Sequence, residues 1–291
     1  MREAERGLLL LCCALGEDVQ PLNRREYAQV MKLLQNAKEK SMEGEVTAEV
    51  LLEAGLSHEL AQRVFCLLER SHQPERYLQG QEDISVITRI SPQFPQKLRK
   101  LGEECPAALF CKGDVSLLQK EAICVVGSRL LAERGAAFAR YVGNLAAKEG
   151  YVLISGNAAG ADRTAQDACL QAGGSVISVV PDALERCKMR ENQLFICDEG
   201  YEFAFSTARA LRRNHLIHAL GEKVFVAQCL EARGGTWAGT SDNLKRGLSA
   251  VYVLDDGSEG MRALRGLGAA YVGDFIPSLR ALQNPQLSIF D

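Results

Sequence analysis

A doubly wound α/β fold with a mostly parallel sheet, preceded by a small all-helical domain, is what this 291-residue sequence predicts. Three observations carry it. Short, almost wholly apolar runs rich in β-branched residues recur at 122–126, 151–154, 175–180, 223–227 and 250–254. Helical patterns at 133–148 and 162–172 lie between them, and residues 1–80 show helical spacing only. Strands that are apolar without alternation are buried on both faces, as in a parallel sheet covered by helices. The ligand of such a sheet sits at the carboxyl ends of its strands, where the winding direction switches.

Taken in chain order, the apolar run 7–15 has Leu8, Leu11, Cys12 and Leu15 at helical spacing and predicts an amphipathic first helix. It is too short to span a membrane, and neither its balanced flank nor a small-residue cleavage site suits a signal peptide. Tyr27, Val30, Met31 and Leu34 share one helical face, and Leu60, Val64 and Leu67 another, with Ser57 as N-cap. A helix-hairpin-helix would need a Gly-x-Gly hairpin, which is absent, so residues 1–80 are expected to be a packing or dimerisation module. Residues 81–115 read as a connector punctuated by Pro92, Pro95 and Pro106. The Rossmann-like domain is placed at 81–283 and a tail peptide at 284–291.

With 34 basic and 37 acidic side chains, the net charge of −3 excludes a bulk polyanion binder, so any nucleic-acid site must be a local patch. The ten cysteines form no CxxC pair and no zinc spacing, which predicts reduced thiols in a cytoplasmic protein and no metal. GxGxxG is missing, and no acidic residue stands about twenty positions further on, so no dinucleotide cofactor is expected.

Four segments carry chemistry. After the run 122–126, Gly127 permits a sharp turn, Ser128 presents a hydroxyl, and Arg129 adds a planar fork suited to phosphate. After 151–154, Ser155, Gly156, Asn157 and Gly160 lie in a loop nearly free of side chains, opening onto a helix N-terminus that favours anions. Asp162 is expected to cap that helix. Further on, Arg209, Arg212 and Arg213 fall at i, i+3 and i+4, with Asn214, His215 and His218 extending a basic face that is either solvated or functional. The glycine-rich loop 234–240 offers Gly235 and Thr236 as a third wall. It also carries Trp237, which is either a stacking platform for a base or a core anchor.

In this order the segments resemble the DNA-processing protein A (DprA/Smf) family. Phe94-Pro95-Gln96-Lys97-Leu98 is similar to its Tyr-Pro-x-x-Leu, and the stretch from Pro106 to Lys112-Gly113-Asp114 to its Pro-x-x-Leu-(Tyr/Phe)-x-(Lys/Arg)-Gly. Val126-Gly127-Ser128-Arg129 is an intact Val-Gly-Ser-Arg. Residues 155–162 resemble Ser-Gly-Leu-Ala-Arg-Gly-Ile-Asp, Arg213-Asn214-His215 resembles Arg-Asn-Arg, and 234–240 resembles Ser-Gly-Ser-Leu-x-Thr-Ala. The resemblance implies an extended Rossmann fold, single-stranded DNA held over these loops, homodimerisation, and delivery of DNA to the RecA recombinase in transformation or other DNA handling. Ala159 and His215 stand where the family has arginines, and Phe-Pro before the Arg-Asn-Arg set is missing, which should weaken DNA binding and flatten its salt dependence. The C-terminal winged-helix domain of many members is not expected.

Gln286-Leu287-Ser288-Ile289-Phe290 is close to the Gln-Leu-(Ser/Asp)-Leu-Phe peptide that docks on the bacterial sliding clamp. Leu287, Ile289 and Phe290 could equally pack on their own domain. An enzymatic alternative on the same superfamily fold, the "lonely guy" phosphoribohydrolases, needs Pro-Gly-Gly-x-Gly-Thr-x-x-Glu. Here three residues separate Gly234-Gly235 from Gly239-Thr240, where the motif has one, and Asn243 occupies the glutamate position. Binding is therefore preferred to catalysis, and no catalytic residue is assigned. A nucleotide-ligand sensor is the remaining alternative.

Overall fold

The computed structural model describes residues 1–39 and 48–284. The tail residues Gln286, Leu287, Ile289 and Phe290 lie outside the described residues. The chain forms two compact units: Met1–Phe94 with Gly102–Phe110 and Asp198–Gly200, and a larger one holding most of the remainder.

The smaller unit is helical at first: α1 (Glu3–Cys12), α2 (Arg24–Glu39), α3 (Ala48–Glu53), α4 (His58–Leu68) and α5 (Gln73–Leu78). Ser57 caps α4, its hydroxyl accepting from the Leu60 N–H at 3.3 Å. Leu60, Val64 and Leu67 join Val30, Leu51 and Leu56 in one apolar core. The first helix is shorter than its spacing suggests. Cys13 leaves α1 in extended geometry, and Leu15 reaches the core from a left-handed turn rather than from the helix face.

The stretch 81–115, expected as a connector, contains two strands, β1 (Ile84–Thr88) and β2 (Ala108–Gly113), with a 3-10 segment at Gln96–Glu104 between them. The prolines that suggested a loop fall outside both strands, and the apolar residues between the prolines are buried.

In the larger unit, β3 (Ala122–Val126), α6 (Glu133–Glu149), β4 (Val152–Ser155), α7 (Ala161–Gln171), β5 (Ser175–Val179), β6 (Gln193–Cys197), α8 (Thr207–Leu220), β7 (Lys223–Val226), α9 (Gly234–Arg246), β8 (Ala250–Leu254), α10 (Glu259–Gly266) and β9 (Ala270–Val272) follow one another. Their strands form a sheet in the order β6-β5-β4-β3-β7-β8-β9, and the registered pairs are all parallel. The chain starts at β3, winds outward through β4, β5 and β6, then returns to β7 on the other side of β3. Right-handed crossovers in opposite directions put helices on both faces of such a sheet.

Strands β3, β4, β7 and β8 lie within a residue or two of the apolar runs that predict them, because a strand buried on both faces can be built only from such residues. The strands β6 and β9 are not marked in that way. Gln193 opens β6 and is nonetheless buried, its amide donating to the Ser178 hydroxyl at 2.9 Å.

Glycines set the spacing of the layers. At Gly143 a β-carbon would stand 2.3 Å from the Ala165 carbonyl oxygen, so α6 can meet α7 only through a glycine there. At Gly239 it would stand 3.1 Å from Asn214 and His218, where α9 meets α8. This packing corrects the reading of 234–240 as a loop: those residues are the first turns of α9. Tertiary contact at Gly239 outweighs the poor helix propensity of a glycine-rich run.

Candidate nucleic-acid interface

The switch of winding direction falls between β3 and β7, and a cavity of about 620 Å³ opens there. The end of β3 lines it with Gly127, Ser128 and Arg129, α7 with Asp162, and α8 with Arg213 and Asn214. Gly234, Gly235 and Thr236 complete it at the N-terminus of α9. Arg129, Ala158, Phe205 and Arg213 also line a second cavity of about 930 Å³, together with Gly156 and Asn157.

The loops are locked together by glycine. A β-carbon on Gly127 would lie 2.6 Å from that of Ala161. Gly160, at φ 82°, is pressed against the carbonyls of Ser128 and Arg129, so a side chain there would be strained as well as obstructed. Gly156 lies directly beneath Arg213, and its β-carbon would coincide with the guanidinium, 1.3 Å from Nη1. The loop is bare because an arginine lies on it.

Arg213 is only 7% exposed, and among the described residues no hydrogen bond reaches its Nε. Burial pulls its pKa down, and the charge of Asp162 opposes that. Asp162 is buried too. Its carboxyl is pushed above the usual range by burial, against the pull of Arg213 and of two backbone N–H groups.

Those N–H groups correct the expected capping role. The N-cap of α7 is Gly160, and Asp162 stands inside the helix. The aspartate Oδ2 accepts from Gly156 N–H at 3.0 Å and from Ala158 N–H at 3.3 Å, holding the loop under Arg213.

Other sequence-derived candidates part company. Ser155 is fully buried and lines neither cavity, and its hydroxyl accepts from the Gln166 amide at 2.8 Å. The Ser128 N–H is used by the Gln228 carbonyl, and the Ser128 hydroxyl accepts from Leu130 N–H, which leaves fewer donors for an anion than the motif suggests.

The basic face of α8 does not act as one surface. Arg209 turns back to donate to the carbonyls of Phe203 and Ala204, while Arg212 is exposed outside both linings. His215 lies 3.6 Å from Asp242. His218 is buried, and burial pulls its pKa down to about 3, so it adds no charge to the patch. Asn214 donates to the Gly235 carbonyl at 3.1 Å, tying α8 to the start of α9. Trp237 is half-buried on α9 and lines neither cavity.

Asn243, at the position where a hydrolase would carry glutamate, is wholly buried. It bonds His218 Nδ1 at 3.1 Å and both the hydroxyl and N–H of Ser249.

The second cavity adds residues that no motif marked: Arg163, Arg186, Lys188 and Arg190. With Arg129 and Arg213 they make six cations, against the carboxylates of Asp167 and Asp182. Arg190 lies 2.6 Å from Asp167 and Arg186 lies 3.2 Å from Asp182. A charge surplus among scattered positions shows no spacing in the sequence; Arg163, one turn after Ala159 and lining the same cavity, is the signal it offers. None of the ten cysteines, all among the described residues, forms a disulfide, and only Cys66 is exposed. Cys187, in the second cavity, has its thiol pushed up to about 11 by burial.

A model of the DNA recombination-mediator protein A family matches residues 85–275, more than half of the chain and all of the segments just described. The chain belongs to that family. Similar relatives include the DNA processing protein DprA of Bacillus subtilis, 28% identical over 62% of this chain and 60% of its own length. Protein Smf of Escherichia coli is 28% identical over 82% of this chain and 67% of its own. The family fold is also seen in the crystal structure of DNA processing protein A from Streptococcus pneumoniae, with a TM-score of 0.67 at 23% identity over 90% of this chain and 93% of that one. The Helicobacter pylori protein, described for its unique single-stranded DNA binding mode, superposes with a TM-score of 0.57 at 24% identity, covering 66% of this chain and 91% of that one. The chain thus spans about 60% of the length of its Bacillus relative. No helix among the described residues is long and apolar enough to cross a membrane.

Proposed function

We propose that this family member binds single-stranded DNA at the crevice between β3 and β7, acting in DNA processing or recombination as a binding protein rather than an enzyme. The observation that carries the reading is Arg213. A nine-tenths-buried guanidinium with an unbonded Nε is costly unless something anionic completes it. The Asp162 carboxylate feels Arg213 strongly and Arg129 weakly, so one carboxylate stands against the two cations that line both cavities. A phosphodiester would satisfy the remaining charge, and the N-terminus of α9 adds its dipole. A catalytic reading lacks its carboxylate, since Asn243 is committed to His218 and Ser249.

Homodimerisation, a cytoplasmic setting and delivery of the strand to the RecA recombinase extend the same proposal. Sedimentation of the free protein and RecA filament assembly on protein-bound strands read out the first and last of these.

The test is anisotropy of fluorescent oligo-dT at low and moderate salt, comparing the parent with Arg129→Ala. Salt-sensitive binding is expected, with Arg129→Ala lowering the slope of log K against log salt by about 0.7. Failure of the parent to bind at low salt would overturn the reading and turn attention to mononucleotide ligands.

A further inference from the structure

Phe205 is unusual among the residues around the site. It is 51% exposed, yet it lines both cavities. Single exposed apolar side chains are ordinary. This one is not single, because Leu130, Leu211 and Leu230 beside the first cavity are 85%, 46% and 60% exposed. Leu211 and Leu230, like Phe205, line that cavity.

Phe205 is also held in place. Its N–H donates to Asp182 Oδ1 at 3.1 Å, and the same oxygen accepts from Ala183 N–H and Arg186. Just before it, the Arg209 guanidinium donates to the carbonyls of Phe203 and Ala204 and lies 5.2 Å over the Phe203 ring. Immediately after it, the Ser206 hydroxyl accepts from Arg209 N–H to cap α8. A segment fixed this firmly that still leaves a phenyl ring in solvent is preorganised for contact rather than for packing.

Resting on the DNA-binding reading above, we propose that Phe205 is the base platform of the site. One nucleobase of the strand stacks on its ring, while the two phosphates flanking that nucleotide occupy the cavities on either side. Arg129 and Arg213 line both cavities and so serve either phosphate. The α9 N-terminus serves the first, and Arg163 and Lys188 the second. This assigns the stacking role to Phe205 rather than to Trp237, the sequence-based candidate. A ring reads the π-face that every base has, so the platform selects single strands without choosing among sequences.

The experiment compares the parent, Phe205→Ala and Phe205→Trp on oligo-dT and on an abasic strand of equal length, with 2-aminopurine fluorescence as a direct signal of stacking. Phe205→Ala is expected to weaken oligo-dT binding by about 5- to 100-fold, to leave abasic binding within about twofold, and to remove the 2-aminopurine quench. Phe205→Trp is expected to retain all three. Thermal unfolding monitors the fold, which a change at an exposed ring should leave intact. Unchanged oligo-dT binding by Phe205→Ala overturns the platform, as does an equal loss on the abasic strand, while the DNA-binding reading survives either result. A parent that binds no strand overturns both.

Discussion

The two cavities that meet at Arg129 and Arg213 hold positive charge in different ways. The first is closed by backbone: Gly127 lines it, Gly160 lets the adjoining loops press together, and Arg213, which it shares with the second, is buried on Gly156, where there is no room for a β-carbon. The second takes its charge from long, mostly solvent-facing side chains, two of them partly neutralised by Asp167 and Asp182. Removing the shared, buried Arg213 should therefore disturb folding as well as binding. Removing a cation that lines the second cavity alone should alter binding only.

The largest expected effect is that of Arg213→Ala. It leaves Asp162 buried without the cation whose charge most opposes its burial, and an uncompensated buried carboxylate costs about 3 kcal/mol. Asp162 already has a raised pKa in the folded protein, so protonation favours the folded state. That stability is present below the unfolded carboxyl value and is lost as pH rises through the folded one. Without Arg213 the folded value rises further. The urea midpoint of Arg213→Ala should then fall far below the parent's at pH 7 and recover part of the gap at pH 5. Adding Asp162→Asn, whose amide oxygen still accepts from Gly156 and Ala158, should restore most of it at pH 7. A gap independent of pH and unrelieved by Asp162→Asn would mean that Arg213 matters there only as packing.

A smaller effect is expected in the second cavity. Arg186→Ala with Lys188→Ala removes two cations that the glycine-built loops do not depend on. Affinity for oligo-dT should fall severalfold, and the salt slope by about 1.4 if both meet phosphate. The unfolding free energy should shift by no more than about 0.5 kcal/mol, as for surface changes away from buried networks. A large loss of stability would erase the distinction between the cavities.

The same difference governs what the sequence discloses. Where backbone geometry makes the site, glycine is required at fixed places, and Gly127, Gly156 and Gly160 are legible as an ordered pattern. Most strands of the larger unit are legible too, because double burial demands unbroken apolar runs. Where side chains make the site, cations at 163, 186, 188 and 190 can arise from different elements and meet only in three dimensions. Strand β6 escaped because Gln193, a polar opener, finds its partner on Ser178 across the sheet. The arginines of α8 misled in the opposite sense. Helical spacing puts them near one another, but whether a guanidinium faces a ligand, a carbonyl or a carboxylate depends on neighbours distant in the chain.

The smallest expected effect falls on a residue that the motif includes and the geometry sets aside. Ser155 belongs to the same loop pattern as Gly156, yet its hydroxyl accepts from Gln166, whose amide also donates to Ser178. Ser155→Ala removes one of two acceptors from a buried amide that keeps the other, a loss of about 1 kcal/mol. Oligo-dT affinity should stay within about twofold of the parent, because no atom of Ser155 reaches either cavity. A tenfold loss of binding at unchanged stability would return Ser155 to the ligand. It would also mean that the loop under Arg213 moves when DNA arrives, since the side chain could meet a phosphate only by leaving Gln166.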